Sequence, residues 1–370
     1  MVEQGYPTTA DEIDAAWLTD ALAERHPGVV VESVEILDRH ELTNAHARIA
    51  VRYVDEAQAE AAGAPTTAFC KLAPTDDRRE AIIATGMGQR EALFYASLAS
   101  EVDMRVPGVH VARQDDESGL FVLVLEDLVE SGAQVSDGTW GIPPDGVAGA
   151  LEDLAALHAR FLDPAVRAAV APWVPVLGPG GDYGKVMLRD GIENHRDRLT
   201  DAFVAVAGIY TDHTPALQAL WQEGEPTVIH GDPHLGNLFL DDGRVGFLDW
   251  GIVNVGSPLR DVSYLLTMGM DPADRRAHEV DLLRLYIGAL ASLGGPTLTF
   301  DDVWEAHRLQ AAYTVPASCQ VVTFPADMTE GRRVFSDAFL EKCLAALDDL
   351  EVVAALADRG LHDVSAAAGS

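Results

Sequence analysis

Asp232, Asn237 and Asp249 are the residues of this chain whose types and spacing best suit chemistry. All three carry oxygen donors, which a hard cation such as Mg²⁺ takes while keeping positions open for phosphate and water. Asp232 stands in His230-Gly231-Asp232-Pro233-His234-Leu235-Gly236-Asn237. Downstream, Leu238-Phe239-Leu240 and Val245-Gly246-Phe247-Leu248 are apolar runs on either side of Asp241-Asp242-Gly243-Arg244. Asp-Gly between apolar runs signals a tight hairpin turn. Asn237 and Asp249 are each six residues from Gly243. Folding about the turn is expected to set them nearly opposite, with Asp232 on the entering loop.

Phosphoryl transfer from a nucleotide uses such a set. One Asp accepts the proton of the attacking hydroxyl, and an Asn and a second Asp hold metal ions. In the protein-kinase pattern H-R-D-L-x-x-x-N the Asn follows the Asp by five residues, and Asn237 follows Asp232 by five. On these residues the chain resembles the aminoglycoside phosphotransferase and choline kinase superfamily. Its H-G-D-x-x-x-x-N motif stands here as His230, Gly231, Asp232 and Asn237. Its metal-binding Asp stands in Phe247-Leu248-Asp249-Trp250, and its Gly-x-Pro-x-x-Asp element as Gly256-Ser257-Pro258-Leu259-Arg260-Asp261. The resemblance runs from about Val31 to Leu266, with only helix-rich character beyond. It implies an α+β, protein-kinase-like two-lobed fold, β-rich in the N-terminal lobe and mainly helical in the C-terminal lobe.

Other readings stay open. An Asp-Gly hairpin can be a turn and nothing more, its carboxylates solvated or capping helices. His230-x-Asp232-x-His234 also reads as a metal cluster, since alternating residues share one face of an extended segment, and zinc or di-metal hydrolases use His and carboxylate ligands. That reading leaves Asn237 unexplained, and no other dense His cluster supplies the missing ligands. A nucleotide-binding non-enzyme of the same fold is a third reading, which the intact Asp232, Asn237 and Asp249 oppose. His230 itself reads as structural, its ring tied into the loop. His234 carries no assigned role.

The elements that must position these residues divide the chain in two. Thr9-x-x-Glu12 reads as a capping box opening a helix that ends near His26-Pro27-Gly28. Residues 29–37, 47–54 and 66–72 read as strands, with a polar, Ala-rich hairpin loop at 55–65. Residues 78–99 read as a helix with an irregularity at Gly86 and Gly88, and 110–113 and 120–125 as two more strands. Strands, helix, then strands is an α+β order. Helices are expected at 143–161, 189–210, 260–268, 272–293, 300–313 and 331–358, with a Pro- and Gly-rich loop at 172–184 and a frayed tail at 363–370. The best boundary is the stretch from Glu126 to Gly132. It gives a nucleotide-binding lobe with its leading helix at 1–127 and a helical lobe with the catalytic loop and substrate pocket at 128–370.

The first lobe holds one of only three lysines, Lys71, at the end of the apolar run Ala68-Phe69-Cys70. An inward lysine on a strand is costly unless an anion meets it. Kinases use such a lysine to grip the α- and β-phosphates and lock it with a Glu of the following helix. The resemblance carries that role to Glu91, in Gln89-Arg90-Glu91-Ala92-Leu93-Phe94-Tyr95, with Glu80 as the alternative. The phosphate-covering loop within 38–48 has no glycine, so its backbone approaches phosphate less freely. Thr43 and Asn44 are the candidates to supply donors instead. Phe121-Val122-Leu123-Val124-Leu125 resembles the strand that runs into the family's adenine-binding hinge, and Glu126 and Asp127 read as solvated or capping residues.

The implied reaction moves the γ-phosphoryl group of ATP or GTP to a hydroxyl of a small substrate such as an aminoglycoside, amino alcohol, sugar or steroid alcohol. Asp232 orients or deprotonates the hydroxyl, and Asn237 and Asp249 bind Mg²⁺. Asp261 supports the catalytic loop or caps the next helix. A protein substrate is disfavoured: Gly231 replaces the Arg of H-R-D, and no A-P-E or long activation segment separates Asp249 from Asp261. Gly236-Asn237-Leu238-Phe239-Leu240-Asp241-Asp242-Gly243 most resembles broad branches of the superfamily, including the ecdysteroid-kinase-like one. Trp304, His307, Tyr313 and Phe324, on or near the C-terminal helices, are candidates for the substrate pocket or for core.

Bulk properties bound this picture. At 370 residues the chain can bury a large core in about two domains. A formal net charge of −33 weighs against nucleic acid or an anionic membrane as partner, both being polyanions, and fits a cationic small molecule. Cys70, Cys319 and Cys343 show neither a disulfide framework nor metal-ligand spacing, which suits a reducing cytoplasm. Met1-Val2-Glu3-Gln4 lacks the basic-then-apolar start of a signal peptide. No apolar run approaches the ~18 residues of a membrane span.

Overall fold

Alternating side chains build the first part of the chain into a sheet. In the computed structural model, which describes residues 5–41, 43–75, 77–178 and 181–362, the strands are β1 (Val31–Glu41), β2 (Ala45–Tyr53), β3 (Thr67–Leu72), β4 (Val109–Gln114) and β5 (Phe121–Glu126). They pair antiparallel in the order β1-β2-β3-β5-β4. Ala47, Ile49, Val51 and Tyr53 of β2 point to one face, as period-two alternation requires. There they share a core with Trp17, Leu18, Ala21 and Leu22 of α1 (Ala15–Leu22). β5 is buried along almost its whole length, because α4 (below) covers its other face. The opening Met1-Val2-Glu3-Gln4 and the tail 363–370 lie outside the described residues.

Caps decide where these helices begin. The capping box expected at Thr9 does not form: Glu12 instead accepts from the amide and hydroxyl of Thr8, and Asp14 caps α1 by accepting Trp17 N–H. The loop expected at 55–65 contains α2 (Glu56–Ala61), capped by Asp55 through Gln58 N–H. The helix expected at 78–99 breaks into α3 (Arg79–Ala84) and α4 (Met87–Leu93) at Gly86, whose φ of 68° glycine adopts at no steric cost. After Leu93 the path continues as a π-helical turn over Phe94–Leu98 and a 3₁₀ turn over Ala99–Glu101.

The chain forms two compact units. One comprises Met1–Val135, Phe239–Asp242 and Gly246–Val253; the other comprises Ser136–Leu238, Gly243–Val245 and Asn254–Ser370. The remaining strands are β6 (Gln134–Val135), β7 (Thr227–Ile229), β8 (Leu238–Asp241), β9 (Arg244–Phe247) and β10 (Asn254–Gly256). β8 and β9 form the expected hairpin. Its turn residues Asp242 and Gly243 both have positive φ, 48° and 82°, the signature of a type I′ turn.

Helices dominate the second unit: α5 (Pro144–Arg160), α6 (Pro164–Val170), α7 (Tyr183–His195), α8 (Asp201–Trp221), α9 (Pro258–Gly269), α10 (Pro272–Ser292), α11 (Phe300–Ala311), α12 (Thr314–Ala317), α13 (Glu330–Asp349) and α14 (Val352–Asp358). Their core includes Phe203, Val206, Leu217, Trp221, Tyr264, Leu309, Phe339 and Leu347. The single helix expected at 189–210 is two. α7 ends at His195, and Thr200 caps α8 by accepting Phe203 N–H. The helix expected at 331–358 is likewise split, at Glu351 with φ 48°. No helix among the described residues is long and apolar enough to cross a membrane.

Candidate active site

In the first unit, β3 delivers Lys71 to the face opposite the α1 core. The Lys71 side chain is 6% exposed, and its Nζ lies 2.5 Å from Glu91 Oε2 and 3.3 Å from Asp249 Oδ1. Glu91 reaches it because α4 packs closely on β5: a Cβ at Gly88 would come within 2.0 Å of the Phe121 ring. Glu80, the alternative partner, is exposed on α3. Asp249 stands in the left-handed region at φ 53°, a conformation that costs a non-glycine residue and persists where surroundings enforce it. Trp250 stacks on Phe94 with centroids 3.8 Å apart, and Arg90 Nε donates to the Gly251 carbonyl at 2.8 Å. These contacts hold the turn after β9. Arg90 carried no signal in the sequence beyond adjacency to Glu91.

Electrostatics follow from this burial. Burial disfavours the Lys71 ammonium, yet Asp249 and Glu91 outweigh it and raise the pKa above the usual lysine value. Burial pushes Glu91 up to about 7, against the pull of Lys71. His46 lies directly opposite Lys71 in the β2–β3 register. Burial first, then the Lys71 charge, drives its imidazole down to about 3, so it is neutral. Asn44 is buried with its Oδ1 unpartnered among the described residues, whereas Thr43 is exposed. Of the two roles expected of them, solvated or capping, Asp127 is buried and caps, and Glu126 is partly exposed and accepts a backbone amide. Asp127 takes Arg48 in a fork (2.8–3.1 Å) and caps Val129 N–H; Glu126 takes Arg105 and Gly108 N–H. Strand-end carboxylates find these arginines only through the tertiary fold.

In the second unit, β7 pairs with β10 and releases the chain into His230-Gly231-Asp232. Asp261 has no solvent exposure and braces this loop, accepting His230 N–H at 2.7 Å and Gly231 N–H at 2.8 Å. It lies inside the first turn of α9, whose N-cap is Ser257, so it is not the helix cap. His158 of α5 approaches the same carboxylate at 3.4 Å and bonds Tyr286 through its other nitrogen. Sequence reasoning missed His158, although it adjoins the buried Leu151, Leu154 and Leu157 stripe. Gly231 has φ 87°, which explains a glycine here. Asn237 Nδ2 donates to Asp232 O and Oδ2 at 3.0 and 3.1 Å, fixing the carboxylate.

The histidines do not make a metal centre. His230 is fully buried and its Nδ1 accepts Asp232 N–H; His234 Nδ1 accepts Gly236 N–H. Among the described residues no group of three His, Cys, Asp or Glu side chains could hold a metal ion. Of the four pocket candidates, Tyr313 alone packs on Tyr264, at 5.4 Å between ring centroids. His307 is buried 3.6 Å from Glu279, Trp304 packs beside Phe300, and Phe324 lies under Arg198.

Comparison with known proteins identifies a family. The model of the phosphotransferase enzyme family matches residues 57–294. No curated protein matches. Among solved structures, a choline/ethanolamine kinase family protein from Mesorhizobium loti shares 18% identity at a TM-score of 0.47, over 87% of this chain and 91% of that one. Macrolide 2′-phosphotransferase MphH from Brachybacterium faecium shares 18% at 0.43, over 85% and 99%. Plasmodium vivax ethanolamine kinase shares 11% at 0.48, over 86% and 83%. At such values these likenesses say nothing of the acceptor.

Proposed function

This chain belongs to the phosphotransferase enzyme family, and we propose that it transfers the γ-phosphoryl group of ATP or GTP to a hydroxyl of a small molecule. The observation that carries this reading is the buried Lys71, held 2.5 Å from Glu91 and 3.3 Å from Asp249. A cation fixed in this way suits the α- and β-phosphates. Asp232 accepts the proton of the acceptor hydroxyl as its oxygen attacks the γ-phosphorus. The bond from that phosphorus to the bridging oxygen breaks, and the nucleoside diphosphate leaves. The Asn237 bond to Asp232 Oδ2 aims the carboxylate, and Asp261 and His230 hold the loop that carries it. Thr43 and Asn44 supply donors to phosphate.

Asn237 and Asp249 are the residues that would each offer an oxygen to Mg²⁺. Asn237 spends its Nδ2 on Asp232, which leaves its amide oxygen as a donor, and the Asp249 side chain is 40% exposed. Such hard oxygens fit Mg²⁺. When bound, the ion supplies positive charge to the phosphate oxygens. Residues 1–127 then serve as the nucleotide-binding lobe and 128–370 as the lobe of catalytic loop and acceptor. The free cysteines suit a reducing cytoplasm.

Incubation with Mg-ATP or Mg-GTP and a panel of aminoglycosides, amino alcohols, sugars, steroid alcohols and hydroxy acids tests the reading. Diphosphate release should accompany a product heavier by one phosphoryl group. If neither nucleotide raises the melting temperature and no acceptor gains phosphate, the reading fails.

A further inference from the structure

Arg260 is half-buried on α9, yet among the described residues no carboxylate pairs with it. Its Nε donates to Gln310 Oε1 at 3.0 Å, and the Tyr313 hydroxyl is a further hydrogen-bond partner. Its guanidinium lies 3.6 Å over the Tyr313 ring and 5.0 Å from that of Trp221. Its neighbour Asp261 is already committed: one oxygen takes Gly231 N–H, the other His230 N–H and His158. Among the described residues Arg90 and Arg167 also lack a carboxylate, but backbone carbonyls satisfy them. In a chain with 59 acidic and 26 basic residues, Arg48, Arg105 and Arg275 each hold a carboxylate. Leaving a cation in a poorly solvated place without an anion is costly. Burial accordingly pulls the Arg260 guanidinium below its usual value.

A string of contacts joins Arg260 to Asp232. His234 Nε2 lies 3.7 Å from Asp232 Oδ2. The His234 ring packs on Tyr264 at 6.0 Å, Tyr264 on Tyr313 at 5.4 Å, and Tyr313 on Arg260. Asp232 also acts electrostatically on both tyrosines. Burial pushes Tyr313 up to about 12, so its hydroxyl stays neutral.

We propose that Arg260 binds a carboxylate of the phosphoryl acceptor, which makes the acceptor a hydroxy acid. The inference rests on Asp232 marking where the acceptor hydroxyl sits. The remaining guanidinium N–H groups form a planar fork that matches a carboxylate bidentately. Stacking on Tyr313 fixes the plane in advance, so little side-chain freedom is lost on binding. An aminoglycoside or amino alcohol would instead bring a like charge to Arg260. The net charge of −33 points toward cationic acceptors, but exposed charges beyond a Debye length are screened, and the nearest group decides.

Calorimetry with two matched probes, γ-hydroxybutyrate and γ-hydroxybutyramide, tests this on the full chain with Mg-ADP present. Wild type should bind the acid about tenfold or more tighter than the amide, the scale of a charge-assisted hydrogen bond. Arg260→Gln should bind the two alike, and Arg260→Lys should keep part of the preference. Equal binding of the probes by wild type, or binding of neither, overturns the proposal, as does a preference that survives in Arg260→Gln. A merely structural arginine would lower the melting temperature in Arg260→Gln with no preference in wild type. Loss of the nucleotide-induced thermal shift in wild type would instead sink the phosphotransfer reading, independently of the probes.

Discussion

Replacing Lys71 by Met removes a charge but keeps most of the side-chain volume, and the consequence should depend on pH. Glu91 is 2% exposed, and its folded pKa of about 7 stands above the ordinary 4.5. A folded pKa above the unfolded one gives stability that is full below the unfolded value and lost as pH rises. In wild type that loss stops near pH 7, where Glu91 ionises against Lys71. Without Lys71 the opposing cation is gone, the pKa climbs further, and the loss continues past pH 7. Each unit is worth about 1.4 kcal/mol. The gap between variant and wild type should therefore widen by about 1 kcal/mol at pH 8 and about 3 kcal/mol at pH 9, relative to pH 6. Lys71 itself stays charged across this range, since its pKa is raised. Urea unfolding at pH 6, 7, 8 and 9, followed by circular dichroism, measures the gap. The double variant Lys71→Met/Glu91→Gln should show no such widening. A gap that is flat from pH 6 to 9 in Lys71→Met would refute the coupling of Glu91 to Lys71.

Three further outcomes follow from the geometry. Asp232→Asn should keep the fold and the nucleotide-induced thermal shift while turnover drops about 10²–10⁴-fold, the usual worth of a positioned base; unchanged product formation by mass spectrometry would exclude Asp232 as that base. Asp261→Ala strands two buried amides, those of His230 and Gly231, at about 1–3 kcal/mol each. Its denaturation midpoint should fall markedly, with Asp261→Asn intermediate, and an unaltered midpoint would deny the brace. Gly88→Ala drives a methyl to 2.0 Å from the Phe121 ring. It should cost about 1–3 kcal/mol by overpacking and raise the nucleotide KM by shifting α4 and Glu91, so an unchanged KM would show that α4 does not set the Lys71 partner.

The sequence alone determined what depends on short-range rules. The Asp-Gly turn dictates the hairpin of β8 and β9, because positive φ at both turn residues is cheap there and costly elsewhere. The five-residue step from Asp232 to Asn237 marked a pair that is bonded at 3.1 Å. β-rich stretches marked the first three strands, and Lys71 stood out because an inward lysine must meet an anion. Helix ends were less legible, since Asp14, Asp55 and Thr200 cap through local bonds that compete with equally plausible polar neighbours. What only the tertiary structure decided was partner choice across long stretches of chain. It gave Lys71 to Glu91 rather than Glu80, through the close packing that Gly88 permits. It turned Asp127 toward Arg48, and it set His158 behind Asp261. It also stacked Arg260 on Tyr313 with no acid among the described residues to neutralise it. Such pairings depend on which surfaces meet once apolar faces are buried, and no local pattern in the chain encodes that meeting.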